Sequence, residues 1–190
     1  MSPMYSIKSV LTIITLLLSL VNCASNSVGH YNQAIDISGK PGWVTEGSQT
    51  IKTPDGRSFL GVGVAQTSGE FTRQATAANE QAKDEIQRML ERFIEVVSRD
   101  YLASGAAQPA GFLEHEASRY IEEMTNIVLP SAKIKGHWVD ESSKRIFAIA
   151  EIDYPNVVSL LYTSTKVNPG FKTYLKKQGE SVFDRIATQH

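Results

Sequence analysis

The strongest constraint on the fold is a stretch of about 32 residues, from Thr72 to about Ala103, in which apolar residues recur at intervals of three and four. This spacing predicts one long α-helix with a single apolar stripe. The first half of the stripe is rich in alanine, which permits close packing under a sheet, and the second half is bulky. The opposite face carries charges of both signs, which predicts a solvated face or a partner surface. The apolar positions are Ala75, Ala78, Ala82, Ile86, Met89, Leu90, Phe93 and Val97.

Before this helix, two strand-like runs flank Thr53-Pro54-Asp55-Gly56. Proline presets φ for the first central position of a tight turn, and Asp-Gly suits the rest, so the segment predicts a β-hairpin. Glycines on one face of the second arm allow a helix or another strand to approach closely. The two alternating faces of that arm hold Phe59, Gly61 and Gly63, and Leu60, Val62 and Val64.

After the long helix, a second amphipathic pattern predicts a helix that ends at Pro130. Residues 132–139 and 145–152 alternate as two strands around a turn at 140–144, which predicts a second hairpin. Strict alternation on the first of these strands places Ile134, Gly136 and Trp138 on one face, and Lys133, Lys135 and His137 on the other. The second strand places Ile146, Ala148, Ala150 and Ile152 on one face, and Phe147 and Ile149 on the other.

Two helices are predicted to close the chain. One covers Asn156 to about Thr165, and the other follows Asn168-Pro169, an N-cap with proline at the first helical position. The whole pattern predicts an α+β fold, in which an antiparallel sheet of about four strands, formed by two hairpins, packs against two or more helices. Connections through helices can place the central pair of strands side by side.

The N-terminal segment LTIITLLLSLVNCAS, residues 11–25, contains the chain's single cysteine. Its apolar run of about 12 residues is too short to cross a bilayer, which takes about 20. A positive start at Lys8 followed by such a run is typical of a secretory signal peptide. With one cysteine there is no intramolecular disulfide to form. We therefore expect a signal peptide at 1–22, a lipidated N-terminus and tether at 23–40, an α+β domain at 41–165 and a C-terminal helix at 166–190.

Leu20, Val21 and Asn22 precede Cys23 in a pattern that resembles the lipobox of bacterial lipoproteins. Asn22 departs from the usual glycine, alanine or serine at that position. The resemblance implies that signal peptidase cuts before Cys23, that the sulfur receives a diacylglyceryl group, and that the new N-terminus is acylated, as by palmitate. Two or more chains hold a protein stably on a membrane, whereas one chain holds it marginally.

Ala24 and Ser25 follow the cysteine, where aspartate would retain a lipoprotein in the inner membrane. By the same resemblance, they imply sorting to the outer membrane, with the domain facing the periplasm. Without residues 1–22, and so without Lys8, the chain has 18 basic and 20 acidic residues, a formal charge of −2. This balance argues against nucleic acid as a partner, since that would require a basic patch.

The order of short motifs resembles the family of small bacterial outer-membrane lipoproteins typified by the twenty-kilodalton surface lipoprotein, over roughly 41–153. The motifs are P-x-W-V at Pro41, F-L-G-V-G-V-A at Phe59, the long helix, W-V-D at Trp138 and F-A-I-A-E-I-D at Phe147. The resemblance implies an α+β fold without known catalytic residues. Flagellar disk lipoproteins, which assemble into rings, are similar to this family, and proteins with a related domain assist other envelope machines.

No sequence motif for catalysis or metal binding is present. G-V-G lacks the later residues of a phosphate loop, and E-H-E at Glu114 has Arg119 where a second histidine ligand would stand. Ser48, Ser58 and Ser68 lie in no G-x-S-x-G setting, which argues against a cell-wall or lipid hydrolase. We therefore expect a non-enzymatic envelope component, without cofactor or metal, that is anchored through acyl chains and binds envelope proteins or itself. The alternatives are a small-ligand carrier, or an accessory or regulator of a cell-wall enzyme.

Overall fold

The computed structural model describes residues 39–66, 69–105 and 114–187, with the backbone alone at 114–116. Four strands and five helices follow one another within these ranges, and a short 3₁₀ helix, Leu129–Ser131, follows the third α-helix. The elements are α1 (Gly42–Glu46), β1 (Gln49–Thr53), β2 (Gly56–Ala65), α2 (Phe71–Ala103), α3 (Glu114–Val128), β3 (Lys133–Asp140), β4 (Arg145–Asp153), α4 (Tyr154–Thr163) and α5 (Pro169–Ala187). The predicted α+β class is confirmed.

The four strands form one antiparallel sheet in the order β1-β2-β4-β3. Both predicted hairpins are present, because β1 pairs with β2 and β3 pairs with β4. The central pair of the sheet is β2 and β4, aligned from Ser58 opposite Asp153 to Ala65 opposite Ile146. Asp140 closes the second hairpin by accepting hydrogen bonds from the hydroxyls of Ser142 and Ser143.

The glycines of β2 lie against the backbone of α2, as the alternation predicted. A Cβ atom at Gly61 would lie 2.0 Å from the carbonyl oxygen of Ala82, and one at Gly63 would lie 2.1 Å from that of Ala78. The side chains of both alanines are fully buried. The glycine-rich strand and the alanine-rich helix therefore touch directly and enclose no ligand cavity between them.

An aromatic cluster joins α2 to both C-terminal helices. The rings of Phe59, Phe93, Tyr154 and Phe183 meet edge to face, at centroid distances of 5.0–6.3 Å. Such pairs add about 0.5–1.5 kcal/mol each beyond the area that they bury. The cluster therefore fixes α5 in the same core as the sheet and the long helix.

The start of α5 is capped as predicted. The Asn168 side-chain oxygen accepts hydrogen bonds from the backbone N–H groups of Gly170, at 2.8 Å, and Phe171, at 3.1 Å. Further along, Gly179 is buried, and a Cβ there would lie 2.4 Å from the hydroxyl oxygen of Tyr154. The glycine that weakens the apolar stripe of α5 therefore makes room for a tyrosine from α4.

The predicted alternation of β3 is wrong, because a β-bulge separates Ile134 from Gly136. The extra residue shifts the register, so that the side chains after it change faces. Gly136 pairs with Ile149 on the outer face of the sheet, whereas His137 pairs with Ala148 on the face that α2 covers. Ile134 therefore shares its face with His137 and not with Gly136 and Trp138.

The outer face of the sheet has its own small apolar cluster, built on Trp43, Leu60 and Ile149. Trp43 belongs to α1, a five-residue helix that the sequence pattern did not predict. The indole N–H of Trp138 donates a hydrogen bond to the carbonyl oxygen of Gly39, at 3.2 Å. The first described residues therefore lie on the side of the sheet opposite α2.

Candidate interaction surface

The residues predicted to direct lipidation and sorting lie outside the described residues. They are Leu20, Val21, Asn22, Cys23, Ala24 and Ser25. None of the helices within the described ranges combines the length and the apolar character needed to cross a bilayer. The anchor therefore stays a prediction from the sequence, and the sites below belong to the domain.

The exposed face of α2 carries the charges that the sequence predicted, and several of them pair within the helix. Arg99 donates to the Glu95 carboxylate at 2.6 Å, and Arg88 pairs with Glu85. Gln87 donates to Glu91 at 2.8 Å. Exposed pairs of this kind stabilise a helix by about 0.3–0.5 kcal/mol each. The side chains of this face are therefore held by weak contacts, and a partner can replace these contacts with a small loss of free energy.

A groove of about 1130 Å³ runs between this face of α2 and the neighbouring helix α3. Its charged walls include Arg92 and Glu95 on α2 and Glu122 on α3, and its floor includes the half-buried side chains of Leu102 and Ile121. Charged walls over an apolar floor are the usual composition of a protein-binding surface, in which the buried centre is apolar and the rim is polar. We call this feature the α2–α3 groove.

Ser98 lies in the groove with 5% of its surface exposed. Within the described part of the chain, its hydroxyl and that of Thr125 are buried without a hydrogen-bond partner. An unpaired buried hydroxyl costs about 1–3 kcal/mol, so such groups usually have a reason to persist. Motif reasoning missed Ser98, although it stands four residues after Ile94 in the apolar stripe of α2, where a hydroxyl is out of place.

The two edges of the sheet are poorly suited to binding a partner by strand addition. β1 has five residues, and β3 carries the bulge together with Lys133 and Lys135. Short strands, bulges and lysines are the devices by which proteins prevent pairing at sheet edges. The α2–α3 groove is therefore a better candidate for a partner surface than either edge of the sheet.

A second concavity, of about 420 Å³, lies between α4, α5 and the start of β2. We call it the Tyr154 cleft. Beside it, the Arg57 guanidinium donates to the Asp184 carboxylate at 2.6 and 3.1 Å, and Lys52 reaches the same carboxylate at 2.6 Å. The hydrogen bond from Arg57 is the main reason that the pKa of Asp184 falls to about 2. A carboxylate oxygen of Glu180 also lies 3.3 Å from a guanidinium nitrogen of Arg57.

The groups considered for catalysis are not brought together by the fold. Ser48 accepts a hydrogen bond from the Val62 backbone N–H at 2.9 Å, and Ser58 donates to Asp153 at 3.1 Å. His137 meets the amide oxygen of Asn79 at 2.6 Å, so its nearest partner is not an acid. Ser68 lies outside the described residues. The side chains of residues 114–116, which include His115, also lie outside them. Among the described residues, no group of three or more histidine, cysteine or acidic side chains could hold a metal ion.

Comparisons with known proteins add no family to this picture. No protein-family model matches the chain, and a search of curated proteins finds no match.

Proposed function

We propose that this chain is a non-enzymatic lipoprotein of the bacterial outer membrane that serves as an assembly or interaction component of the cell envelope. The observation that carries the proposal is the position of Cys23, three residues after Leu20 at the end of the short apolar run. Acyl chains on this cysteine hold the domain at the membrane, because each buried CH₂ contributes about 0.8 kcal/mol. The family resemblance adds a flagellum-associated, self-assembling role as one form of this function.

The α2–α3 groove is the surface that we assign to the partner, which is another envelope protein or a second copy of the chain. Two features support this assignment: the apolar floor at Leu102 and Ile121, and the charged side chains along both walls. A partner that covers the groove removes the apolar floor from water and can pair with the charges at its rim. Gly39 lies on the opposite side of the sheet, so the chain that leads to the anchor enters away from the groove.

The anchoring step is tested by mass spectrometry of the N-terminal peptide of protein purified from its native membrane. We expect a peptide that begins at Cys23 and carries the mass of a diacylglyceryl group and an amide-linked acyl chain. A Cys23→Ser variant should leave the membrane fraction, because no sulfur remains to be acylated. An unmodified thiol, or a leader still attached to the native protein, would disprove the anchor.

The partner surface is tested by photo-crosslinking in intact cells. A photoreactive residue at Ser118, on the α3 side of the groove, should capture a discrete partner that mass spectrometry identifies. The same residue at Glu141, exposed in the turn between β3 and β4, is the control and should not capture it. Equal capture at both positions, or capture at Glu141 alone, contradicts the assignment of the groove. For self-assembly, a chain starting at Ala24 that stays monomeric at high concentration would count against ring formation.

A further inference from the structure

The Tyr154 cleft has the composition of a small-molecule site. Its volume of about 420 Å³ falls within the range of about 300–1,000 Å³ that is usual for ligand pockets. Pro155 and Val158 give it an apolar wall, and Tyr162 at the rim is 49% exposed, which is unusual for so large an apolar side chain. Residues 155, 158 and 162 are three and four apart on α4, so a flat apolar molecule has one apolar wall to lie against.

The hydroxyl of Tyr154 provides a hydrogen-bond donor to the cleft. The residue is 5% exposed, and its ring packs against Phe93 and Phe183. Its hydroxyl group makes no hydrogen bond within the described residues, and it fills the space above Gly179. Burial, and after it the negative charge of Glu180, raises the pKa of Tyr154, so that the hydroxyl keeps its proton. The hydroxyl oxygen of Tyr154 is not fully enclosed, unlike those of Ser98 and Thr125, so a ligand in the cleft can accept a hydrogen bond from it.

The charges around the cleft favour an anion. Two cations, Arg57 and Lys176, and one carboxylate, Glu180, line it. Arg57 is already engaged by Asp184 and Glu180. Lys176 has no carboxylate partner within the described residues, and its ammonium nitrogen lies 5.4 Å from the ring centroid of Tyr162. An ammonium group over an aromatic ring at the mouth of an apolar cleft is well placed to meet a carboxylate.

Helix geometry places these groups on one wall. Lys176, Gly179 and Glu180 are three and four residues apart on α5, so they share one face of the helix. The Tyr154 hydroxyl lies above Gly179, one turn from Lys176. We propose that the Tyr154 cleft binds a small, flat, apolar carboxylate, with its body against Val158 and Tyr162 and its carboxylate accepting hydrogen bonds from Lys176 and from the Tyr154 hydroxyl. This site is separate from the α2–α3 groove and does not depend on the proposed function.

The test is equilibrium dialysis of the full-length chain, solubilised in dodecyl maltoside, against 2-naphthoate, with empty micelles as the blank. We expect saturable binding of 2-naphthoate. We also expect binding that is about tenfold weaker for 2-naphthalenemethanol, which keeps the rings and lacks the charge. Binding that does not saturate above the micelle blank overturns the proposal. Tighter binding of 2-naphthylmethylammonium than of the carboxylate also overturns it, since Glu180 would then be the recognition group.

Two variants locate the site. Lys176→Gln should weaken 2-naphthoate binding about tenfold, whereas Lys177→Gln, the matched control on the neighbouring residue outside the cleft, should change it less than about twofold. Tyr154→Phe should weaken binding about fivefold without lowering the unfolding temperature, because the hydroxyl donates to the ligand and makes no hydrogen bond within the described residues. A purely structural role for Tyr154 predicts the reverse, a lower unfolding temperature with unchanged binding. Equal losses at Lys176 and Lys177, or wild-type affinity in Tyr154→Phe, would show that the ligand binds elsewhere.

Discussion

Gly63→Ala tests the close contact between β2 and α2. The added methyl group would lie 2.1 Å from the carbonyl oxygen of Ala78 and 2.4 Å from the backbone nitrogen of Ala82. Both obstacles are backbone atoms, so no side-chain rotation can relieve the overlap. To reach an ordinary contact of 3.4 Å from 2.1 Å, the helix must retreat by about 1.3 Å, which is the difference between the two distances.

A shift of α2 by this distance also loosens its packing against β4, because the same helix covers both β2 and β4. A gap of about 0.5–1 Å already forfeits a quarter to a half of the dispersion attraction of the atoms that face it. Overpacked cores lose about 1–3 kcal/mol, and occasionally more. Replacing glycine by alanine in a strand offsets about 0.5–1 kcal/mol of this loss, because it reduces the conformational entropy of the unfolded chain. At the upper end of the overpacking cost, we therefore expect a net loss of about 2 kcal/mol for Gly63→Ala, a large part of a typical total of about 5–15 kcal/mol.

Gly136→Ala is the matched control, since it is also a glycine-to-alanine change in the same sheet. The nearest atom to its added methyl group is the Ile149 Cγ2 atom at 4.0 Å, an ordinary contact. Urea unfolding of a chain starting at Ala24, followed by far-UV circular dichroism, measures both. With a slope of about 2 kcal/mol per molar of urea, the unfolding midpoint should fall by about 1 M for Gly63→Ala and change by less than about 0.5 M for Gly136→Ala. Similar midpoints for the two variants would refute the close approach.

Four further substitutions, all at polar side chains, have expected outcomes. Ser98→Ala should leave the free energy of unfolding unchanged or raise it by up to about 1 kcal/mol, because its buried hydroxyl has no partner in the described chain. Ser58→Ala should lower it by about 1 kcal/mol, because that hydroxyl donates to Asp153; urea midpoints in the reverse order would contradict this reasoning. Asn168→Ala should cost about 1 kcal/mol through loss of the α5 cap, measured as a lower unfolding temperature; an unchanged temperature would show that the cap is dispensable. The hydrogen bond from Arg57 lowers the pKa of Asp184 from 3.8 to about 2, so the stabilisation from this carboxylate is complete above about pH 4 and is lost as the pH falls towards 2. Asp184→Asn should therefore lower the free energy of unfolding by about 1 kcal/mol at neutral pH, after allowance for solvent screening at this partly exposed site. The unfolding temperatures of the variant and the wild type should converge near pH 2. A difference in unfolding temperature that does not change with pH would contradict the ion pair.

Local patterns predicted most of the elements, because the residues that specify a helix or a turn are close together in sequence. The apolar stripe of α2 depends on a repeat of three and four residues, and the cap at Asn168 depends on the next three residues. Each hairpin depends on a short turn between two alternating runs. These features follow from local backbone geometry and do not depend on which segments pack against them.

The bulge in β3 had no local signal, and it reversed the faces of the residues that follow it. Lys135 fits the alternation of the sequence as well as its neighbours do, and only pairing with β4 reveals the extra residue. The same limit applies to the Tyr154 cleft. Arg57 and Asp184 are 127 residues apart, and no spacing rule connects them.

By itself, the sequence determined the order of the elements, the α+β class and the amphipathic face of α2, since each rests on periodicity within one segment. It also contains the whole basis for the proposed anchor at Cys23. Only the tertiary structure decided that β2 and β4 lie side by side, that Ser98 faces a groove, and that the Tyr154 hydroxyl lies above Gly179. Those facts depend on which distant segments pack together, and packing is settled by the shapes and charges of all the elements at once.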